Sequence, residues 1–93
     1  MFITLTCKKV ILKMNRYIAL QKIVELGSFT KAADVLGYTQ PAMSQMISSL
    51  ERELSIKLLY RSRYGIHLTL EGERLFPSIQ KTVAGYQSML EIA

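Results

Sequence analysis

From Arg16 to Leu26 the apolar residues Tyr17, Leu20, Ile23 and Val24 fall at helical three-and-four spacing, which predicts a first helix with one buried stripe ended by Gly27. Ser28 is placed to cap a short second helix, Phe29 to Leu36, whose Ala32, Ala33 and Leu36 share a face. Two adjacent alanines let another helix cross closely, because little side chain holds the backbones apart. Gly37 stops this helix, and Thr39 caps a third in which Pro41 occupies the first turn, where a missing donor costs nothing. The inward face of that third helix is Met43, Ile47, Leu50 and Leu54.

Beyond Ser55 the period changes. Leu58–Arg61 and Ile66–Leu68 predict a small hairpin with Ser62–Gly65 as its turn. Thr69 then caps a long last helix with the stripe Leu75, Ile79, Val83, Tyr86 and Leu90, and a slight bend is expected at Pro77. Such a stripe, running past a small core, needs a surface to lie against, and a second copy of the chain is the simplest one. Residues 1–13, MFITLTCKKVILK, are rich in β-branched side chains and carry a loose alternation. They are expected to be an upstream extension, flexible or a non-native start, with a short edge strand as the alternative. The expected organisation is therefore an extension over 1–13, a folded unit over 14–68 and a linker or dimerisation helix over 69–93.

Composition narrows the class. The 93 residues allow one domain with a marginal core, and 49% hydrophobic with 20% charged residues is too apolar for intrinsic disorder. Net charge is +5, yet Lys8, Lys9 and Lys13 precede Met14, and the remainder carries nine Lys/Arg against seven Asp/Glu. Charge therefore permits a nucleic-acid partner without demanding one. Cys7 and His67 are each the single residue of their type, which removes an internal disulfide and any zinc-finger spacing. His67 is expected as a strand-end surface residue. No stretch reaches the roughly 18 apolar residues of a membrane helix, and a reducing cytoplasm is the default. No acid/base pair, activated nucleophile or glycine-rich phosphate loop stands out, so neither catalysis nor a cofactor is expected.

Two helices joined by a tight turn and followed by a basic hairpin make a mainly α, winged helix-turn-helix: a three-helix core, a two-stranded wing and a long C-terminal linker helix. In that architecture the second helix of the pair enters the major groove of DNA. With Met43, Ile47, Leu50 and Leu54 inward, the opposite side of the third helix presents Pro41, Gln45, Ser48 and Arg52, with Gln40 and Ser44 near its entrance. Glutamine pairs with adenine N6 and N7, serine serves several base edges, and Pro41 offers apolar contact to a thymine methyl. Backbone contacts would fall to Lys31, Arg61, Arg63 and the helix's positive N-terminus. A bland alternative makes Gln45, Ser48 and Ser49 simply a solvated face. A second makes the winged helix a protein-interaction or assembly module without sequence-specific DNA binding.

The stretches LGSFTKAADVLGYTQPAMSQMISSLE (Leu26 to Glu51), KLLYRSRYGIHLT (Lys57 to Thr69) and EGERLFP (Glu71 to Pro77) resemble the N-terminal DNA-binding domain of LysR-type transcriptional regulators. The ordered set Ser28, Phe29, Ala32, Ala33, Leu36, Gln40, Pro41, Ala42, Ser44, Ile47, Leu50, Glu51, Leu58, Arg61, Leu68, Thr69 and Gly72 carries the likeness. What it implies is a bacterial, cytoplasmic regulator, nucleoid-associated when bound to duplex DNA at a roughly palindromic site. It also implies base contacts from Gln40, Pro41, Ser44, Gln45 and Ser48. Backbone contacts would come from Ser28, Thr30, Lys31, Thr39, Arg52, Arg61 and Arg63. Dimerisation would use Leu75, Ile79, Val83, Tyr86 and Leu90. Members usually continue into an effector-sensing domain and often assemble as tetramers. The chain is thus expected to be a piece of such a protein, the alternative being a naturally short one, and a small-molecule inducer is implied only if that domain exists. Three features depart from the family pattern: Ser55 where glycine is usual, Leu59 where phenylalanine is common, and a recognition helix poor in Arg and Lys.

Overall fold

A computed structural model describes residues 2–93, with side chains from residue 13 onward. The element order is α1 (Phe2–Leu26), α2 (Phe29–Leu36), α3 (Gln40–Leu54), β1 (Leu59–Ser62), β2 (Gly65–Leu68) and α4 (Leu70–Ile92). Among the described residues no helix is long and apolar enough to cross a membrane.

The first helix is longer than the stripe beginning at Arg16 suggests: its backbone continues back to Phe2. No glycine or proline stands between Phe2 and Gly27 to break it. β-branched residues lower helix propensity only by tenths of a kcal/mol. The edge-strand alternative for this stretch is thereby replaced by helix; Met1 and the side chains of residues 2–12, Cys7 included, lie outside the described residues.

The caps fall where the sequence places them. Ser28 Oγ accepts the N–H of Lys31 at 3.1 Å and Thr39 Oγ1 that of Ala42 at 3.2 Å. Gly37 and Tyr38 both donate to Ala33 O at 2.9 Å, closing α2. At the end of α3, Ser55 adopts φ 58°, ψ 33° while Ile56 N–H reaches back to Glu51 O. This is a left-handed C-terminal turn made without the usual glycine.

Leu20, Ile23, Met43, Leu50 and Leu58 are the largest fully buried side chains where α1, α2 and α3 meet, with Ala19, Ala32, Ala33 and Ile47 filling between them. Tyr17, Val24, Leu36 and Leu54 line the margin of this core. α4 lies against α1 and closes it with Ile79, while Val83 farther along is equally covered.

The hairpin is antiparallel with Leu59 opposite Leu68, Tyr60 opposite His67, Arg61 opposite Ile66 and Ser62 opposite Gly65. The ladder starts one residue later than the sequence suggests, and its loop is two residues, Arg63 and Tyr64, instead of four. Leu58 is withheld from the ladder because its backbone is bonded elsewhere: its N–H to the Glu51 carboxylate and its C=O to Thr69 N–H. Gly65 enters the ladder at φ 120°, and a Cβ there would stand 2.9 Å from Gly27 O. Ile66 N–H donates to that same carbonyl at 3.2 Å, so the wing is docked on the α1–α2 turn.

Candidate nucleic-acid interface

With Met43, Ile47 and Leu50 buried, α3 turns Gln40, Pro41, Gln45, Ser48 and Arg52 outward to solvent, and Ser44 is half-buried among them. Gln40 Nε2 lies 3.4 Å from Ser44 Oγ, a long hydrogen bond, and among the described residues the Gln40 carbonyl has no partner. Thr39 and Ser28 spend an oxygen lone pair on their caps, which leaves each hydroxyl proton free to donate.

The docking of β2 on Gly27 brings the wing beside the start of α2. Ser28, Thr30, Gln40, Arg61 and Arg63 consequently line one cleft of about 300 Å³. Three separate chain segments thus converge on a space lined by two arginines and the first residue of α3. A neighbouring cleft of about 230 Å³, between α3 and the wing, is bordered by Ser44, Ser48, Lys57, Tyr60 and Arg61. Lys57 and Tyr60 were not singled out by sequence as DNA contacts; for Tyr60 the signal was only adjacency to Arg61. Lys31 is exposed on α2, and Arg52 lies exposed in the last turn of α3.

Arg61 projects from β1, whereas Arg63 sits in the loop and is not in strand register with it. The Arg63 guanidinium lies 5.2 Å from the Tyr64 ring centre and donates to the Tyr64 hydroxyl at 3.2 Å. Tyr64 itself is 79% exposed at the tip. His67 is not at a strand end: it stands within β2, half-buried, with Nε2 2.9 Å from Ser62 Oγ and its ring 5.4 Å from that of Tyr60. Among the described residues no group of His, Cys, Asp and Glu is arranged to hold a metal ion.

The acidic residues of α3 are turned to the protein. Arg16, buried in α1, donates to Glu53 Oε2 at 2.6 Å and to Ser49 Oγ at 3.0 Å. That hydrogen bond, then the guanidinium charge, hold the Glu53 carboxyl below the usual glutamate range; burial opposes the shift and Lys13 adds to it. Ser49, part of the solvated-face alternative, is committed to Arg16 instead. Glu51 turns toward the wing, with Lys57 Nζ 3.9 Å from one oxygen.

The expected stripe on α4 divides. Ile79 and Val83 are covered within the chain, and Leu75 and Tyr86 are half-buried. Leu90 is 55% exposed, with Met89 and Ile92 exposed beside it.

Residues 14–73 match the family described as bacterial regulatory helix-turn-helix protein, lysR family. The uncharacterized HTH-type transcriptional regulator YvbU of Bacillus subtilis is 42% identical over 73 residues, 77% of this chain and 25% of that protein. The crystal structure of a BenM DBD/catB site 1 DNA complex superposes with a TM-score of 0.74 at 37% identity, covering 87% of this chain and 89% of that one. A mutant of Corynebacterium glutamicum OxyR gives 0.81 at 31% identity, over 84% of this chain and 25% of that chain. The chain spans about a quarter of the length of the curated relatives it matches.

Proposed function

We propose, because the chain belongs to the lysR family of bacterial regulatory helix-turn-helix proteins, that it binds duplex DNA sequence-specifically as the DNA-binding domain of a transcription regulator. The observation that carries this is the uncharged outward face of α3, Gln40 to Ser48, set beside a cleft bordered by Ser28, Thr30, Arg61 and Arg63. Small polar groups address base edges without the cost of burying an unpaired charge. Arginines suit phosphate bidentately or enter a narrow minor groove. The likeness to a protein crystallised with catB site 1 DNA supports DNA as the partner.

In this reading α3 lies in the major groove with Gln40, Pro41, Ser44, Gln45 and Ser48 toward the bases. Ser28, Thr30, Lys31, Thr39, Arg52, Arg61 and Arg63 hold the backbone. Residues 14–68 form the reading unit and 69–93 a linker along which a second copy lies. The two copies then present their recognition helices to half-sites roughly 34 Å apart on a near-palindrome. The protein works in the bacterial cytoplasm, on the nucleoid when bound. A small-molecule inducer enters only if the protein carries an effector-sensing domain.

Binding to a randomised duplex pool, followed by sequencing of the retained DNA, tests the reading. One motif is expected to be enriched, and Gln45→Ala is expected to change the preferred base at a single step of it. Arg61→Ala should weaken binding to all sequences and lower the salt slope by about 1. No enrichment, with partner proteins held instead, would establish the interaction-module alternative.

A further inference from the structure

Glu51 is out of place by the rules of a helix end. An acid in the last turn of α3 faces the negative end of the macrodipole, and one beside a DNA-reading face repels phosphate. The carboxylate compensates by its contacts. Oε2 accepts the N–H of Leu58 at 2.7 Å and lies 3.4 Å from that of Leu59, with the side chain only 15% exposed. Leu58 is fully buried and lies outside the ladder, so without Glu51 its N–H would be an orphaned buried donor. Its carbonyl accepts from Thr69 N–H at 2.9 Å, and Gly72 presses against the same oxygen, where a Cβ would stand 2.5 Å away. The start of the wing is thereby held on one side by α3 and on the other by the first turn of α4.

We propose that Glu51 is a positioning residue for DNA recognition: its carboxylate fixes the distance and angle between the base-reading face of α3 and the wing. It touches no DNA. Resting on the DNA-binding reading above, this explains how Gln45 and Ser48 can meet base edges while Arg61 meets the backbone across the cleft bordered by Ser48, Glu51, Lys57 and Arg61. Bases and phosphate have a fixed spacing in a duplex, so both contacts form together only if the two elements keep theirs. Lys57, at 3.9 Å and highly exposed, offsets the charge without replacing the backbone bonds.

The test uses the 93-residue chain and a double-mutant cycle on the duplex enriched from the pool. Arg61→Ala is expected to weaken the parent about tenfold, and a Glu51→Ala protein less than about threefold further, because a wing without its anchor no longer places Arg61. Glu51→Gln keeps a carbonyl that accepts the same amides and is expected to stay within about threefold of the parent. Losses that add, or a Gln variant as weak as the Ala variant, overturn the proposal. Residual dipolar couplings of the backbone amides supply a readout independent of DNA. In Glu51→Ala the couplings of residues 59–68 should cease to share the orientation of α3; if they still share it, the positioning role is wrong. A parent that enriches no duplex refutes DNA reading, and the couplings then decide Glu51 alone. Should Glu51→Ala unfold, Glu51→Gln and Glu51→Asp replace it. Aspartate is one methylene too short to reach Leu58, and an identical wing orientation in the two overturns the proposal.

Discussion

Ser55 shows how one residue carries a local cost that its surroundings sustain. It holds φ 58° at the end of α3, a conformation that L-residues adopt reluctantly and glycine adopts freely. Replacing it by glycine should stabilise the chain by about 0.5–1 kcal/mol, read as a higher urea midpoint with an unchanged slope. Glu53 makes the corresponding case in electrostatics. Arg16 lowers its carboxyl pKa in the folded chain, so its contribution is complete above the ordinary glutamate value of about 4.3 and is lost as pH falls through the lowered folded value. Urea titrations across that window should show the parent losing stability toward low pH more steeply than Glu53→Gln. Equal slopes for the two proteins would mean that the Arg16 bond contributes nothing.

At the scale of the element, α3 is two surfaces with separate duties. Its inner face is packed so closely that Leu50→Ala should cost about 2–5 kcal/mol, seen as a large drop in the denaturation midpoint. Substitutions at the exposed Gln45 or Ser48 should stay within about 0.5 kcal/mol of the parent. Hydrophobic periodicity made that division legible, since four apolar residues at spacings of four, three and four define a single face. The capping residues Ser28, Thr39 and Thr69 were legible for a local reason as well, each bonding an amide three residues on. The wing was only partly legible: its strands were recognised, but its register hinges on Leu58, whose partners lie in α3 and at the start of α4.

For the molecule as a unit, the dimer proposed above would rest on α4. Ile79 and Val83 serve the chain's own packing, so the apolar surface left for a second copy lies toward Leu90, with Met89 and Ile92. Sedimentation at high micromolar concentration is expected to give a dimer mass, and Leu90→Lys to shift it toward monomer. A monomer for the parent at that concentration would remove the dimer for this chain. The direction of α4 matters beyond association, because Thr69 and Gly72 grip the same peptide that Glu51 grips from α3.

Helix identity from Arg16 onward, caps and the inward face of α3 were determined by the order of residues, because each depends on neighbours within a few positions; the likeness to a regulator family was legible in the same order, through motifs spread from Ser28 to Gly72. Pairings across 33 residues or more, such as Arg16 with Ser49 and Glu53, were decided only when the helices packed. So was the placing of Glu51 against the wing and of Arg61 and Arg63 beside Ser28. Such contacts depend on which faces meet, and side-chain periodicity states only that a face is apolar or polar, not which neighbour it will find.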